Sequence, residues 1–528
     1  MSQLSSPADA ASPVATEPRT PSWHDSLAAL WERRVLIMLL LGFSAGLPIL
    51  LIFSSLSLWL VEAGVERKAV TFFSWAALGY SFKFVWAPLV DRMALPVFTG
   101  MLGQRRSWLL LAQAGVITAM VGMASVDPAG SPEQLSLMAA FAVLLGFSSA
   151  SQDIVIDAYR IELAPPAMQA LLSSAYIAGY RVGMIVAGAG ALYLASYWGS
   201  TKEAYVYAAW QKAYWVMAAA MGVGVLTALL MPEQRRPAAA QAPLRGNLRL
   251  FLVFLGAVSA FVFAFFHAGP LAASVLDALG GGPMATLLVE ALRLGGALAV
   301  AASAGWMLVR LGLADTAVAR DTWVVPVLDF FDRYGASTAW LVLALVGLYR
   351  ISDIVLGVIS NVFYADMGYS KIEIANAVKT FGVLVSIGGG FLGGILATRY
   401  GVMRCLMWGA VMAALTNLVF VVLAQVGYNL PMLYLVVSAD NLAAGFASAA
   451  FVAFLSSLVN VSFTATQYAL FSSLMTLLPK SLGGYSGGIV DAIGYPGFFV
   501  ATTLMGLPVI VLVWLAARRL ELRDPLKP

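Results

Sequence analysis

Apolar residues in this chain fall into long runs separated only by short polar breaks. A helix that crosses a bilayer needs about 20 mostly apolar residues. Fourteen stretches meet that length, near 35–61, 69–90, 107–126, 136–160, 170–197, 208–231, 249–274, 285–312, 338–363, 375–397, 402–424, 431–458, 466–488 and 497–517. The pattern therefore predicts an all-α polytopic membrane protein. A polar tail, 1–34, rich in Ala, Ser and Pro, precedes the first span, and a short basic tail, 518–528, follows the last. Nothing before the first span has the form of a removable signal peptide.

The polar breaks sort by charge. Arg33, Arg34, Arg92, Arg105, Arg106, Arg160, Arg235, Arg236, Arg310, Arg333, Arg399, Arg404, Arg518 and Arg519 fall at alternate loops and at the C-terminus. The opposite loops hold only Arg67, Lys68, Lys202 and Lys371, with Lys212 near a boundary. Basic loops stay in the cytoplasm, so both termini are expected there, which an even number of spans permits.

The second half repeats the first. Gly146-Phe147-Ser148-Ser149-Ala150 is echoed by Gly445-Phe446-Ala447-Ser448-Ala449, and Ala170-Leu171-Leu172-Ser173-Ser174 by Ala469-Leu470-Phe471-Ser472-Ser473, both at an offset of 299 residues. Leu89-Val90-Asp91-Arg92 is echoed by Leu396-Ala397-Thr398-Arg399 at 307, with extra residues near 93–102 in the first copy. The expected organisation is a six-helix half, 35–231, and a second, 338–517. A linker, 232–337, carries the two unpaired spans and an amphipathic surface stretch around Asp329–Arg333. Duplicated span sets are a common construction of secondary transporters, with the substrate path between the repeats.

Composition agrees: 61% of residues are hydrophobic and 11% charged, against about 25% charged in soluble domains. The net charge of +4 has a membrane explanation, and no nucleic-acid motif is present. With one cysteine, Cys405, no intrachain disulfide can form.

Charged groups inside a bilayer are costly and mark candidate functional positions. Here they are Lys83, Asp153, Asp157, Arg181, Glu290, Arg293, Arg350, Asp353, Lys379, Asp440 and Lys480. Asp153 and Asp157 are four residues apart on one helical face. Two carboxylates in a poorly hydrated site resist joint ionisation, which makes them candidates for proton coupling, Asp153 first. Asp157 can instead pair with Arg160 or Arg181. Lys83, Arg181, Arg350 and Lys379 suit an anionic substrate, because a guanidinium holds a carboxylate through two parallel bonds. Arg350 and Asp353, three apart, can equally neutralise each other, and Glu290 with Arg293 is expected to pair internally. Gln152, Tyr180, Asp440, Asn441, Thr466 and Gln467 add polar candidates for substrate contact. Tyr80, Tyr349 and Trp86 suit sugar faces or simple packing. Gly179 and Gly183 form a G-x-x-x-G face for close helix contact. Pro48 and the glycines 388–390 are candidate bends, with helix packing as the alternative reading.

Two resemblances follow from these runs. Ala87-Pro88-Leu89-Val90-Asp91-Arg92 with Gly103-Gln104-Arg105-Arg106 resembles the loop signature of the major facilitator superfamily between spans two and three; its second copy has Thr398 in place of the acid. That resemblance implies a gating role for Asp91, Arg92, Arg105, Arg106 and Arg399. More narrowly, Gly42-Phe43-Ser44-Ala45-Gly46-Leu47-Pro48, Phe82-Lys83-Phe84, Ser149 to Ala158, Gly179-Tyr180-Arg181-Val182-Gly183-Met184, Val378-Lys379-Thr380, Asn441 to Ala453 and Ser462 to Gln467 resemble the AmpG-type muropeptide permeases, in the peptide/acetyl-coenzyme A transporter branch. This implies import of GlcNAc-1,6-anhydro-MurNAc peptides across a bacterial inner membrane for cell-wall recycling. It also implies dependence on the proton-motive force, a link to β-lactam resistance, and no cofactor or metal. The expected partners are the anhydromuropeptide, protons and membrane lipid. The inserted spans depart from a plain twelve-span plan. Another anionic metabolite, such as acetyl-coenzyme A, is the alternative cargo. Gly42-Phe43-Ser44-Ala45-Gly46 and Gly484-Tyr485-Ser486-Gly487-Gly488 fit the G-x-S-x-G pattern of serine hydrolases, but they lie in apolar helices and the only histidines are His24 and His267. An enzyme is therefore not expected.

Overall fold

A computed structural model of the chain describes residues 29–66, 73, 80, 82–201, 204–233, 244–483 and 486–520. The first half contains α1 (Arg33–Glu62), α2 (Ala87–Arg92), α3 (Gln104–Ala124), α4 (Pro132–Leu163), α5 (Gln169–Tyr197) and α6 (Tyr207–Leu230). The insertion contributes α7 (Leu248–Ala278), α8 (Pro283–Arg310), and two short helices, α9 (Thr316–Trp323) and α10 (Val325–Tyr334). The second half contains α11 (Ala336–Asp366), α12 (Ile372–Tyr400), α13 (Val402–Val426), α14 (Leu430–Ser457), α15 (Thr464–Gly483) and α16 (Ser486–Arg519).

Twelve of these helices are long and apolar enough to cross a membrane, each matching an expected span. Of the other two, the span at 69–90 falls largely outside the described residues, with α2 as its end. The span at 466–488 is α15, which carries Thr466, Gln467, Ser472, Ser473 and Lys480 and is more polar. The inserted α8 is the least buried of the twelve, as a helix facing lipid would be.

The halves are held internally by close backbone approach. Lipid tails are as apolar as leucine, so helices in a bilayer associate through small residues that admit tight contact. On α5, a Cβ at Gly179 or Gly183 would overlap the carbonyl oxygens of Leu39 and Phe43 on α1. On α1, one at Gly42 or Gly46 would overlap those of Tyr176 and Tyr180. The expected glycine face thus meets a second one. In the other half, Gly389 and Gly393 of α12 pack the same way on Leu442 and Phe446 of α14. The glycines 388–390 thus lie within a continuous helix, with Gly389 at a tight contact and Gly388 meeting nothing, and α12 departs from α-geometry earlier, in a π-turn at Ala375–Phe381. A π-turn in α5, Val186–Gly190, lies just beyond Gly183. Pro48 does precede a break: α1 is interrupted at Phe53, five residues on.

The halves meet at the end of the bundle that carries the described chain ends, through α5 on α12 and α2 and α4 on α15. There Ser174 Oγ of α5 donates to the Gly390 carbonyl of α12 at 2.6 Å.

Candidate functional site: a buried charge path and its gate

Three groups of charges lie along the seam. The first is on α4. Its carboxylates, one helical turn apart, are both buried. Tyr176 Oη donates to Asp153 Oδ1 at 3.2 Å, and Tyr180 lies within its field. Asp157 is paired with Lys83 at 3.5 Å and with Arg160 at 3.5 Å. Of the two partners expected for Asp157, Arg160 is the one found. Lys83, expected to meet an anionic substrate, already has a carboxylate. Gln152 beside them is fully buried with neither amide atom hydrogen-bonded. Tyr80 and Trp86 bond Ser149 and Ser151 on α4, at 2.5 and 3.0 Å, and Tyr349 stacks on Phe451 at 4.4 Å. These aromatics are engaged in packing.

The second group spans the seam. In α11, Arg350 donates to Ser448 Oγ at 2.8 Å and lies 3.6 Å from Asp353. Half-buried Asp440 of α14 lies within the field of both. From the first half, Arg181 faces this cluster closely enough for its charge and that of Arg350 to act on each other. Arg181 has no hydrogen bond or ion pair among the described residues, and its Nε is buried without a partner. Lys379 lies in the α12 π-turn, exposed. Asn441 Nδ2 donates to the Val437 carbonyl of its own helix at 3.0 Å.

The third group holds the residues expected to form a gate. The Asp91 carboxylate accepts from Arg105 at 2.9 Å within its own half. Across the seam it accepts from the backbone N–H of Ala465 at 3.1 Å, and from the N–H and Oγ1 of Thr466 at 2.8 Å each. A carboxylate here caps the positive end of α15. Arg105, fully buried, is held by Glu162 at 2.7 and 3.1 Å. Glu233 accepts from the backbone N–H groups of Arg105 and Arg106; burial raises its carboxyl above the usual range, against those two bonds. Gly103, at φ 87°, leaves the room that Glu233 occupies. The Arg106 side chain reaches the Met231 carbonyl, and Arg92 lies 3.7 Å from Asp321 of α9. In the second copy Arg399 lies over Tyr400 at 5.7 Å. Thr466 and Gln467, expected to contact substrate, lie instead at this contact, bonded to Asp91 and to Pro326 and Asp329.

Sequence reasoning missed a second buried contact between the halves. The fully buried Arg160 donates to Gln169 and Ser173 in its own half, at 3.1 Å each, and to Ser456 of α14 at 2.9 Å. It also lies over the Tyr468 ring of α15 at 5.1 Å. It passed as a boundary charge because it sits at the end of an expected span. Glu162, two residues past that span, passed for the same reason. The hydrolase motifs are structural: Ser44 Oγ donates to the Leu41 carbonyl and Ser486 Oγ to that of Val355. Glu290 and Arg293 pair at 3.2 Å, as expected.

Two halves of six helices, related by a sequence repeat and joined through α2 and α15, are the construction found in secondary transporters. The model of the Major Facilitator Superfamily matches residues 62–327, half of the chain, and the chain belongs to that family. It is a multi-pass membrane transporter and not an enzyme. It is similar to the anhydromuropeptide permease of Escherichia coli (strain K12), with 29% identity over 491 residues covering 93% of this chain and 81% of that protein. It is also similar to the putative transporter AmpG 4 of Rickettsia conorii, with 28% identity over 482 residues, 91% of this chain and 96% of that one. Among solved structures, the proton:xylose symporter XylE shares the fold at a TM-score of 0.57 and 13% identity, over 91% of this chain and 94% of that one. The human organic anion transporter MFSD10 does so at 0.52 and 14%, over 91% and 98%.

Proposed function

We propose that this chain imports anhydromuropeptides, GlcNAc-1,6-anhydro-MurNAc peptides, from periplasm to cytoplasm by alternating access. The proton-motive force drives it, with Asp153 and then Asp157 as the coupling carboxylates. It sits in a bacterial inner membrane with both termini cytoplasmic, as the basic loops favour. The observation that carries the cargo reading is similarity to an anhydromuropeptide permease over nearly the whole chain. The site is compatible with it. Arg181, unpaired and set opposite Arg350, supplies positive charge for the carboxylates of a peptide. Asp353 and Asp440 act on Arg350 beside that position, and Lys379, Tyr180, Gln152 and Asn441 are further proposed polar contacts. Asp153, with a single tyrosine donor and no ion pair, is less compensated than the doubly paired Asp157, and it is the one we assign to proton exchange. The gate residues hold the cytoplasmic end shut, so the described state is the one that would receive cargo from outside.

The test is uptake of labelled anhydromuropeptide into proteoliposomes, with and without an inward proton gradient, for wild type and Asp153→Asn. Gradient-driven accumulation by wild type, lost in the variant while binding persists, is the expected result. Accumulation unchanged in the variant would move the coupling site to Asp157. No uptake by folded wild type would reject the cargo, and direct uptake of labelled acetyl-coenzyme A and other anionic metabolites would then identify the class.

A further inference from the structure

The inserted segment is not one unit. Its two parts belong to different halves. The apolar core that joins α1, α2, α4 and α5, which also takes in the α15 alanines at the gate, includes Leu250, Val253 and Phe254 of α7 and Ala319 of α9. Phe261 of α7 meets Phe82 near the end of span two, with ring centroids 6.3 Å apart. Trp323 at the end of α9 donates to the Val85 carbonyl at 3.3 Å. One residue later the allegiance changes. Phe330 of α10 is buried in the core of the second half, 5.2 Å from Phe471 of α15. Gln467 Nε2 donates to the Pro326 carbonyl and to Asp329, at 2.8 Å each. Asn460 donates to Asp329 at 2.9 Å, and Arg333 to the Leu458 carbonyl at 3.1 Å and to Gln467 at 3.0 Å.

We infer that the junction of α9 and α10, at Val324, is the hinge of the transport cycle: α7, α8 and α9 move as part of the first half, and α10 moves as part of the second, positioning the N-terminus of α15 for the gate. The geometry favours this division. Rocking of one packed half against the other leaves interior contacts intact and concentrates the change where few contacts cross. α9 and α10 are separate helices joined through Val324, and the proline at 326 lies in the first turn of α10, where it costs that helix no hydrogen bond. The two ends of α10 are held by side chains of the loop before α15 and of α15 itself. Asp329, Arg333 and Gln467 therefore fix the position of the backbone N–H groups that Asp91 accepts. They act on the gate through α15 and touch no cargo. The inserted helices thus extend the first half in the membrane instead of bridging the two.

The test rests on the family fold alone, independent of the cargo. Spin labels are placed pairwise at exposed Met101 (first half), Arg320 (α9) and Val461 (second half) in full-length Cys405→Ala protein, and distances are measured by pulsed dipolar spectroscopy. Asp91→Asn, which removes the charge and one of the two acceptor oxygens at the gate, supplies the opened state. Met101–Val461 and Arg320–Val461 should both lengthen by more than the width of their distributions, and Met101–Arg320 should not move. A Met101–Arg320 distance that changes while Arg320–Val461 stays fixed overturns the assignment of α9. No change in any pair overturns the hinge. Asp329→Ala should by itself shift Met101–Val461 part of the way, whereas a lost interior contact with no gate role would leave it unmoved.

Discussion

Replacing Asp91 by Asn should unlatch the gate, and the structure sets the size of the effect. Asp91 accepts one bond from Arg105, which lies in the same half and persists in both gate states. It accepts three from the end of α15, and these exist only when the halves meet. Hydrogen bonds to a charged group contribute about 1.5–3 kcal/mol each and neutral ones about 0.5–1.5. Removing the charge thus weakens each of the three by about 1 kcal/mol. Loss of the anion from the positive helix end removes a further 0.3–1 kcal/mol, roughly. The contributions overlap, so a net loss of about 2–4 kcal/mol is expected. At 1.4 kcal/mol per tenfold, that is roughly a 25- to 700-fold shift away from the closed gate. A thiol at Ala469, buried in the closed seam, reports the shift in a Cys405→Ala background. Its labelling by a membrane-impermeant maleimide, applied from the face that carries the chain ends, should rise steeply in Asp91→Asn. Thr466→Ala, which removes one of the three bonds and leaves the charge, should raise it only a few-fold. Unchanged labelling in Asp91→Asn, or an equal rise in the two variants, would refute the reasoning.

Further outcomes follow from the packing and the charges. Gly183→Ala places a methyl group on the Phe43 carbonyl and should cost about 1–3 kcal/mol of overpacking, seen as a lower melting temperature in detergent. Gly388→Ala meets nothing within 4 Å and should be neutral or slightly stabilising. Lys83→Ala breaks one side of a buried pair and should destabilise towards the lower end of about 3–5 kcal/mol, because Asp157 keeps Arg160; adding Asp157→Asn should recover most of the loss, and simple additivity in thermal unfolding would argue against the pair. Arg181→Leu should raise the KM for a carboxylate-bearing cargo while leaving the melting temperature unchanged or higher, since it removes an unpaired charge facing another cation. Arg350→Leu should lower both affinity and melting temperature, because it strands Asp353.

The spans were legible because bilayer length and apolarity are one-dimensional properties of a chain. The halves were legible because repeats such as Gly146–Ala150 and Gly445–Ala449 keep their spacing. Pairings within one helix were legible too: Asp157 with Arg160, Glu290 with Arg293, and Arg350 with Asp353 are each about one turn apart. The rest was hidden because it joins residues hundreds of positions apart. Thr466 reads as a polar residue inside a span, and nothing in its neighbourhood reveals that Asp91, 375 residues earlier, takes its N–H. Arg160 and Ser456 meet across 296 residues for the same reason. The glycines at 388–390 read equally as bend or packing, since a sequence shows the missing side chain but not the backbone that fills its place.

The repeat also explains why the site cannot be symmetric. Duplication supplies the same helices twice, yet the first half keeps Asp153 and Asp157 on α4 where the second copy, on α14, has Ser456 opposite Arg160 and no such pair. The second half keeps Arg350, Asp353 and Asp440, and the gate acid Asp91 has Thr398 in its place. Each half therefore lacks what the other holds. The closed end is made by a carboxylate of one half on a helix end of the other, and the seam further in by two cations that repel across it. An anion between Arg181 and Arg350 would remove that repulsion, so anionic cargo bound there as proposed would favour approach of the halves at its own level. Asp91 opposes separation only at the gate. A transporter built this way moves when the first effect outweighs the second, which is why the perturbations that matter lie at Asp91 and Arg181, at the two ends of one seam.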